Sequence, residues 1–146
     1  VGVWLETGSR YENEKNNGVS RLLEQLLHRG TSKRTQKQLE SELEAIGARL
    51  TTTTDRDHTA LVVESANEHV EKVFDILADV LRNSKLETDA VEAEKKELLR
   101  QLDESDNNYG LVVLDNLHAA AFQHTALARS PLGTTESIKS LTANDV

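Results

Sequence analysis

Residues 49 to 65 read RLTTTTDRDHTALVVES. Two β-favouring runs, RLTTTTD and HTALVVES, meet at Arg56 and Asp57, the pattern of an antiparallel hairpin. The chain on either side has a different period. Val19, Leu22, Leu23, Leu26 and Leu27 recur at helical spacing, from Asn-Asn-Gly at 16–18 to Gly30, which is placed as a C-terminal cap. A second helix is expected over about 35 to 46, ended by Gly47. Val70, Val73, Phe74, Leu77 and Leu81 mark a third. A fourth is expected over about 87 to 104 and a fifth over about 108 to 123, before Pro131 and Gly133 break the chain ahead of a short turn around Ser137 to Leu141. The opening VGVWLET adds a strand. These elements give an α+β class, with helices packed on one face of a mostly antiparallel sheet. The closing LTANDV has the form of an N-cap and first turn of a further helix.

The chain has 146 residues, 37% of them hydrophobic and 29% charged, which fits one globular domain and not a disordered segment. Its longest apolar runs, such as LVVL at 111–114, are far too short to cross a bilayer. A formal charge of -8 and a pI near 5.1 argue against nucleic acid as a partner. One basic cluster, His28, Arg29, Lys33, Arg34 and Lys37, falls where the opening helix ends and is expected to serve as favourable charge at a helix C-terminus. The lack of cysteine removes disulfides and Cys-ligated metals. No targeting segment is visible, and the start at Val1 inside an apparent strand is the pattern expected of a fragment.

On the opening helix Arg21, Glu24, Gln25 and His28 lie in one row opposite the leucines. Periodicity alone predicts a solvated face, with Arg21 and Glu24 as an i, i+3 ion pair. The fourth helix differs, because Glu94 and Gln101 share a side with Val91, Leu98 and Leu102, so a carboxylate is directed inward. That placement is costly unless the group is paired, which makes Glu94 the candidate for a functional or formerly functional acid. The five histidines, 28, 58, 69, 118 and 124, form no H-x-x-H or H-x-x-x-H pair, and His118 and His124 are expected on different faces of one helix. There is no G-x-S-x-G elbow, P-loop or G-x-G-x-x-G.

Five stretches carry a family resemblance: ETGSRYENEKNNG (6–18), SRLLEQLLHRGTSKR (20–34), LESELEAIGARL (39–50), DILADVLRNSKL (75–86) and LDNLHAAAFQHTALARSPLGTTESI (114–138). They resemble the N-terminal domain of the mitochondrial processing peptidase and the core subunits of respiratory complex III, in order along essentially the whole chain, and most of all the first core subunit. The resemblance implies one peptidase-like N-terminal domain over 1–146, incomplete at both ends.

Active members of that family carry the inverted zinc motif H-x-x-E-H on the first helix, with a downstream glutamate as third ligand. The resemblance places Arg21 at the first histidine, Glu24 at the general base and Gln25 at the second histidine. Gln101 of EKKELLRQ stands at the third ligand, and Glu94 at the supporting upstream glutamate. Catalytic zinc needs three protein donors and an open position for water. A guanidinium offers no acceptor, and glutamine amides are poor substitutes for imidazole or carboxylate. The resemblance therefore implies no metal, no cofactor and no catalytic residue. Arg21 is expected close to Glu24 and Glu94, its charge standing where the metal would have been.

The function implied is that of a non-catalytic structural core subunit of ubiquinol:cytochrome c reductase, complex III of the respiratory electron-transport chain. Its place would be the matrix side of the mitochondrial inner membrane, with a second core subunit and other subunits of the complex as partners. The alternative is a non-catalytic substrate-binding subunit of a processing peptidase, gripping basic presequences through acids such as Glu40, Glu42 and Glu44. Peptide binding in the inherited cleft is compatible with either.

Overall fold

The computed structural model describes residues 1–146 and has the α+β architecture. Strand β1 (Gly2–Leu5) leads through a polar loop to helix α1 (Val19–Leu26), and α2 (Gln36–Ala45) precedes the hairpin of β2 (Arg49–Thr54) and β3 (Thr59–Glu64). Helices α3 (Val70–Asn83), α4 (Thr88–Ser105), α5 (Tyr109–Ala121) and α6 (Thr135–Ser140) follow. The sheet order is β1-β3-β2 and both pairings are antiparallel. Register places Arg49 opposite Glu64 and Thr54 opposite Thr59, so the hairpin closes through Asp55–His58, where the Asp55 N–H meets the His58 carbonyl at 3.0 Å.

Alternation along β3 turns Leu61 and Val63 inward, where they meet α2 and α3 through Leu39, Leu43, Val73, Ile76, Leu77 and Val80. A second cluster joins Leu22 and Leu26 of α1 to Val91 and Leu98 of α4 and to Ile138 and Leu141. The leucine stripe of α1 is thus divided: Leu22 and Leu26 face α4 and α6, whereas Leu27 belongs to the sheet-side core. Helix α1 is wedged between two cores, and neither of its flanks is free.

The helix ends differ from the sequence expectation in instructive ways. α1 stops at Leu26 and tightens into a 3-10 turn over Leu27–Arg29 before Gly30, whose φ of 107° takes the chain where L side chains are strained. At its start, the N-cap Gly18 has no side chain to offer. The cap comes instead from Glu12, whose carboxylate accepts the Gly18 N–H, the Ser20 N–H and the Asn17 amide, each at 2.8 Å. An anion at a helix N-terminus satisfies orphan donors and opposes the dipole. Glu12 is itself covered by the 129–137 segment: Arg129 donates to its carbonyl at 2.6 Å, and Ser137 donates to the Asn17 carbonyl at 2.7 Å. The fifth helix ends at Ala121, so His124 lies beyond it in a left-handed conformation, φ 62°, and does not share a helix with His118 as the spacing had implied.

Candidate functional site

The polar row of α1 is not a solvated face. Glu24 is only 5% exposed because β2 and α4 close over it from either side. One Glu24 oxygen accepts Arg21 Nη1 at 2.6 Å, and the other lies 3.4 Å from the Thr52 hydroxyl on β2. Thr52 Oγ1 is also 2.8 Å from His28 Nε2. Burial lowers the His28 pKa and outweighs the opposing pull of Glu24, Glu40 and Glu94, so the imidazole is neutral at physiological pH. Gln25 reaches the other way, its amide donating to Gln101 Oε1 on α4 at 3.0 Å. Gln101 in turn donates to Glu97, whose carboxyl is held down to about 2 by hydrogen bonds from Arg100 and Gln101.

Glu94 points inward as its position on α4 predicts, and is 5% exposed. Its partner is not Arg21. Arg29, two turns further along, grips Glu94 through Nε and Nη2. The correction has a simple cause: the 3-10 turn at Leu27–Arg29 swings Arg29 over the N-terminal half of α4, while Arg21 sits a full two turns away at the other end of α1. Each of the two carboxylates has its own guanidinium.

The basic cluster is likewise more than favourable charge at a helix end. Arg29 serves Glu94, and Arg34 bonds Asp79 at 2.6 Å, Asp75 at 2.6 Å and Glu42 at 3.2 Å. Asp79 is buried; desolvation would raise its pKa, but hydrogen bonds from Thr31, Asn83 and Arg34 prevail and hold it below the usual carboxylate range. Of the acids on α2, Glu42 is taken by Arg34, Glu40 accepts from Gln36, and Glu44 is exposed.

The positions at which the resemblance puts three zinc ligands are brought together as Arg21, Gln25 and Gln101, and this donor set does not suit zinc. One member is a permanent cation and the other two are hydrogen-bonded to each other. Arg21 Nε and Gln25 Oε1 are buried with no partner, a donor and an acceptor left over on adjacent turns of α1. Nowhere do three histidine, cysteine, aspartate or glutamate side chains converge closely enough to hold a metal ion. Arg21 also borders a cavity of about 420 Å³ between the end of α4, α5 and the turn at 130–133, walled by Leu102, Leu111, Leu114 and Pro131. Across it Arg56 bonds Asp115, which also accepts the Ser130 hydroxyl at 2.7 Å.

Sequence reasoning missed Glu12 and the Arg29–Glu94 and Arg34–Asp79 pairs. Glu12 carried no signal, because an acid six residues before the N-cap Gly18 is not itself a cap position. A buried acid opposite a basic cluster could have suggested the other two, since Asp79 lies on the apolar side of its helix beside Ile76 and Val80.

Comparison with known proteins matches residues 1–135 to the insulinase family model, peptidase family M16. Over all 146 residues the chain is 58% identical to the mitochondrial cytochrome b-c1 complex subunit 1 of Caenorhabditis elegans, covering 31% of that protein. It is 44% identical to the human mitochondrial-processing peptidase subunit beta, with 30% of that protein covered. The mouse cytochrome b-c1 complex subunit 1 is 43% identical, also with 30% covered. The chain therefore spans about a third of the length of the curated relatives it matches. Among solved structures, a protease from Helicobacter pylori superposes with a TM-score of 0.89 over 99% of this chain and 35% of its own, at 18% identity, a likeness of fold.

Proposed function

This chain belongs to peptidase family M16, the insulinase family, and we propose that within it the chain is a non-catalytic piece of a core subunit of ubiquinol:cytochrome c reductase. Residues 1–146 would form the N-terminal peptidase-like domain of that subunit, incomplete at both ends, on the matrix side of the mitochondrial inner membrane. The similarity to cytochrome b-c1 complex subunit 1 over the full chain supports the assignment to the complex. The observation that carries the loss of activity is the hydrogen bond between the side-chain amides of Gln25 on α1 and Gln101 on α4, with Arg21 beside it. Three positions that would need lone pairs aimed at a common point instead hold a cation and two neutral amides, one donating to the other. Glu24 then has an ion pair in place of a polarised water to deprotonate.

In this reading the old site has become a seam. Gln25–Gln101 and Arg29–Glu94 tie α1 to α4, and His28–Thr52 ties it to the sheet. A rigid platform for other subunits requires such cross-ties and does not require a metal. The test is purification of the full-length protein from its native source. Cytochrome b and the iron-sulfur subunit should co-purify with it; recovery with a single processing-peptidase partner would favour a substrate-binding subunit of that enzyme instead.

A further inference from the structure

Asn17–Gly18 is the one Asn-Gly step in the chain. Asparagine is chemically labile, and most so before glycine, whose missing Cβ leaves its backbone nitrogen unshielded and mobile. In a free chain the Gly18 nitrogen attacks Asn17 Cγ: a C–N bond forms, the Cγ–Nδ2 bond breaks, and the displaced proton leaves with the amide as ammonia. Water then opens the cyclic imide at either carbonyl and leaves aspartate or its β-linked isomer. The net change is water in and ammonia out.

The fold requires this glycine and covers it. Gly18 has φ 95°, strained for L side chains, and a Cβ there would lie 3.0 Å from the Leu132 carbonyl oxygen. A Cβ on Gly133 would come within 2.6 Å of the Asn17 carbonyl oxygen. The start of α1 and the turn at 130–133 therefore meet backbone on backbone, with Asn17 only 4% exposed. Both reacting groups are held: the Gly18 N–H and Asn17 Nδ2 each donate to Glu12 Oε2 at 2.8 Å, and Nδ2 also donates to the Ser130 carbonyl at 3.1 Å. Whatever else packs on the domain can only add to this cover.

We propose that Asn17 is a latent deamidation site, closed while the 129–137 segment covers it and opened when that segment lifts away. Reaction prevents reclosure. A carboxylate at position 17 cannot donate to Glu12, and it sets a second negative charge beside the buried carboxylate that caps α1. The β-linked isomer also adds a backbone carbon just ahead of the N-cap. A chain that opens and reacts loses the cap of α1, so the lifetime of the folded domain follows how often this segment opens.

The test ages the full-length protein at mildly alkaline pH, folded and in denaturant, and follows the tryptic peptide Asn16–Arg21 by mass spectrometry. Deamidation at Asn17 should proceed in denaturant and run roughly tenfold or more slower in the folded protein. Ser137→Ala, which removes the hydroxyl that donates to the Asn17 carbonyl, should speed the folded-state reaction. Asn17→Asp should melt at a lower denaturant concentration than Asn17→Ala, which loses the same side-chain hydrogen bonds without adding a charge. Equal rates in the two states, or no reaction in denaturant, would overturn the proposal. So would an unchanged rate in Ser137→Ala, or an Asn17→Asp protein as stable as Asn17→Ala.

Discussion

Helix α1 and the turn that ends it carry four polar residues in one row, with Glu24 buried and the other three half-buried, whereas α5 is almost wholly apolar and keeps nothing buried. The row on α1 is tolerable inside because nearly every polar group there has a partner: Arg21 for Glu24, Gln101 for Gln25, Thr52 for His28. α5 is held in the opposite way, by a polar latch of Asp115 with Arg56 and Ser130 and little apolar packing. Hydropathy alone assigns the two helices to the wrong environments. What places them is the set of neighbours: α1 lies between two buried cores, whereas α5 meets chiefly the end of α4 and the turn at Ala126–Ala128 that follows it.

The largest effect that would sharpen this contrast comes from truncating the two helices alike. Leu22→Ala empties a fully buried site between α1 and α4 and should cost about 2–5 kcal/mol in a denaturant melt. Leu117→Ala on α5 should cost no more than about 0.5 kcal/mol. Equal losses would mean that α5 is packed after all.

Arg29→Ala should come next. It leaves Glu94 buried without its counter-charge, a change worth up to about 3–5 kcal/mol for a closed pair. Because the Arg29 side chain is 41% exposed, about 2 kcal/mol is the expected cost. Arg29→Lys should recover only part of it, since an ammonium cannot match the two-nitrogen grip. A loss no larger than that of a surface arginine would show that the seam is not held by this pair.

Acid titration separates buried carboxylates from the rest. The folded-state pKa of Asp79 is depressed, so its contribution to stability is complete above the ordinary aspartate range and is lost as pH falls through the folded value. Asp79→Asn should lower stability at neutral pH and flatten the acid limb of the stability curve. Parallel limbs for the two proteins would exclude Asp79 as a contributor.

The smallest effect concerns Arg21. Its side chain is 28% exposed and it pairs with buried Glu24, so Arg21→Ala should cost about 1–2 kcal/mol, between the values for an exposed and a closed pair. A change near zero would end the idea that its charge replaces that of a metal.

Much of the fold was legible because its signals are local. The hairpin at 49–65, the leucine spacing of α1 and the stops at Gly30 and Gly47 each depend on a few neighbouring residues, and the observed elements lie within a few residues of their expected bounds. The inward direction of Glu94 was also legible, since it shares a side with Val91 and Leu98. Pairing across the chain could not be read. Arg29 meets Glu94 from 65 residues away, and Arg34 meets Asp79 from 45. Choosing Arg29 over Arg21 for Glu94 depended on a change of helix type at Leu27, which no spacing announces. The covered state of Glu24 had the same origin, because periodicity describes one helix and cannot count the elements that close on its far side.

Zinc content decides the central claim most directly. Full-length protein dialysed against micromolar zinc and then desalted should hold no stoichiometric metal, and any peptidase activity should be indifferent to chelators. The combined change Arg21→His, Gln25→His and Gln101→Glu should create zinc binding, because α1 and α4 already bring these three positions together. One tightly held zinc ion in the unmodified chain, released by chelator, would contradict the account.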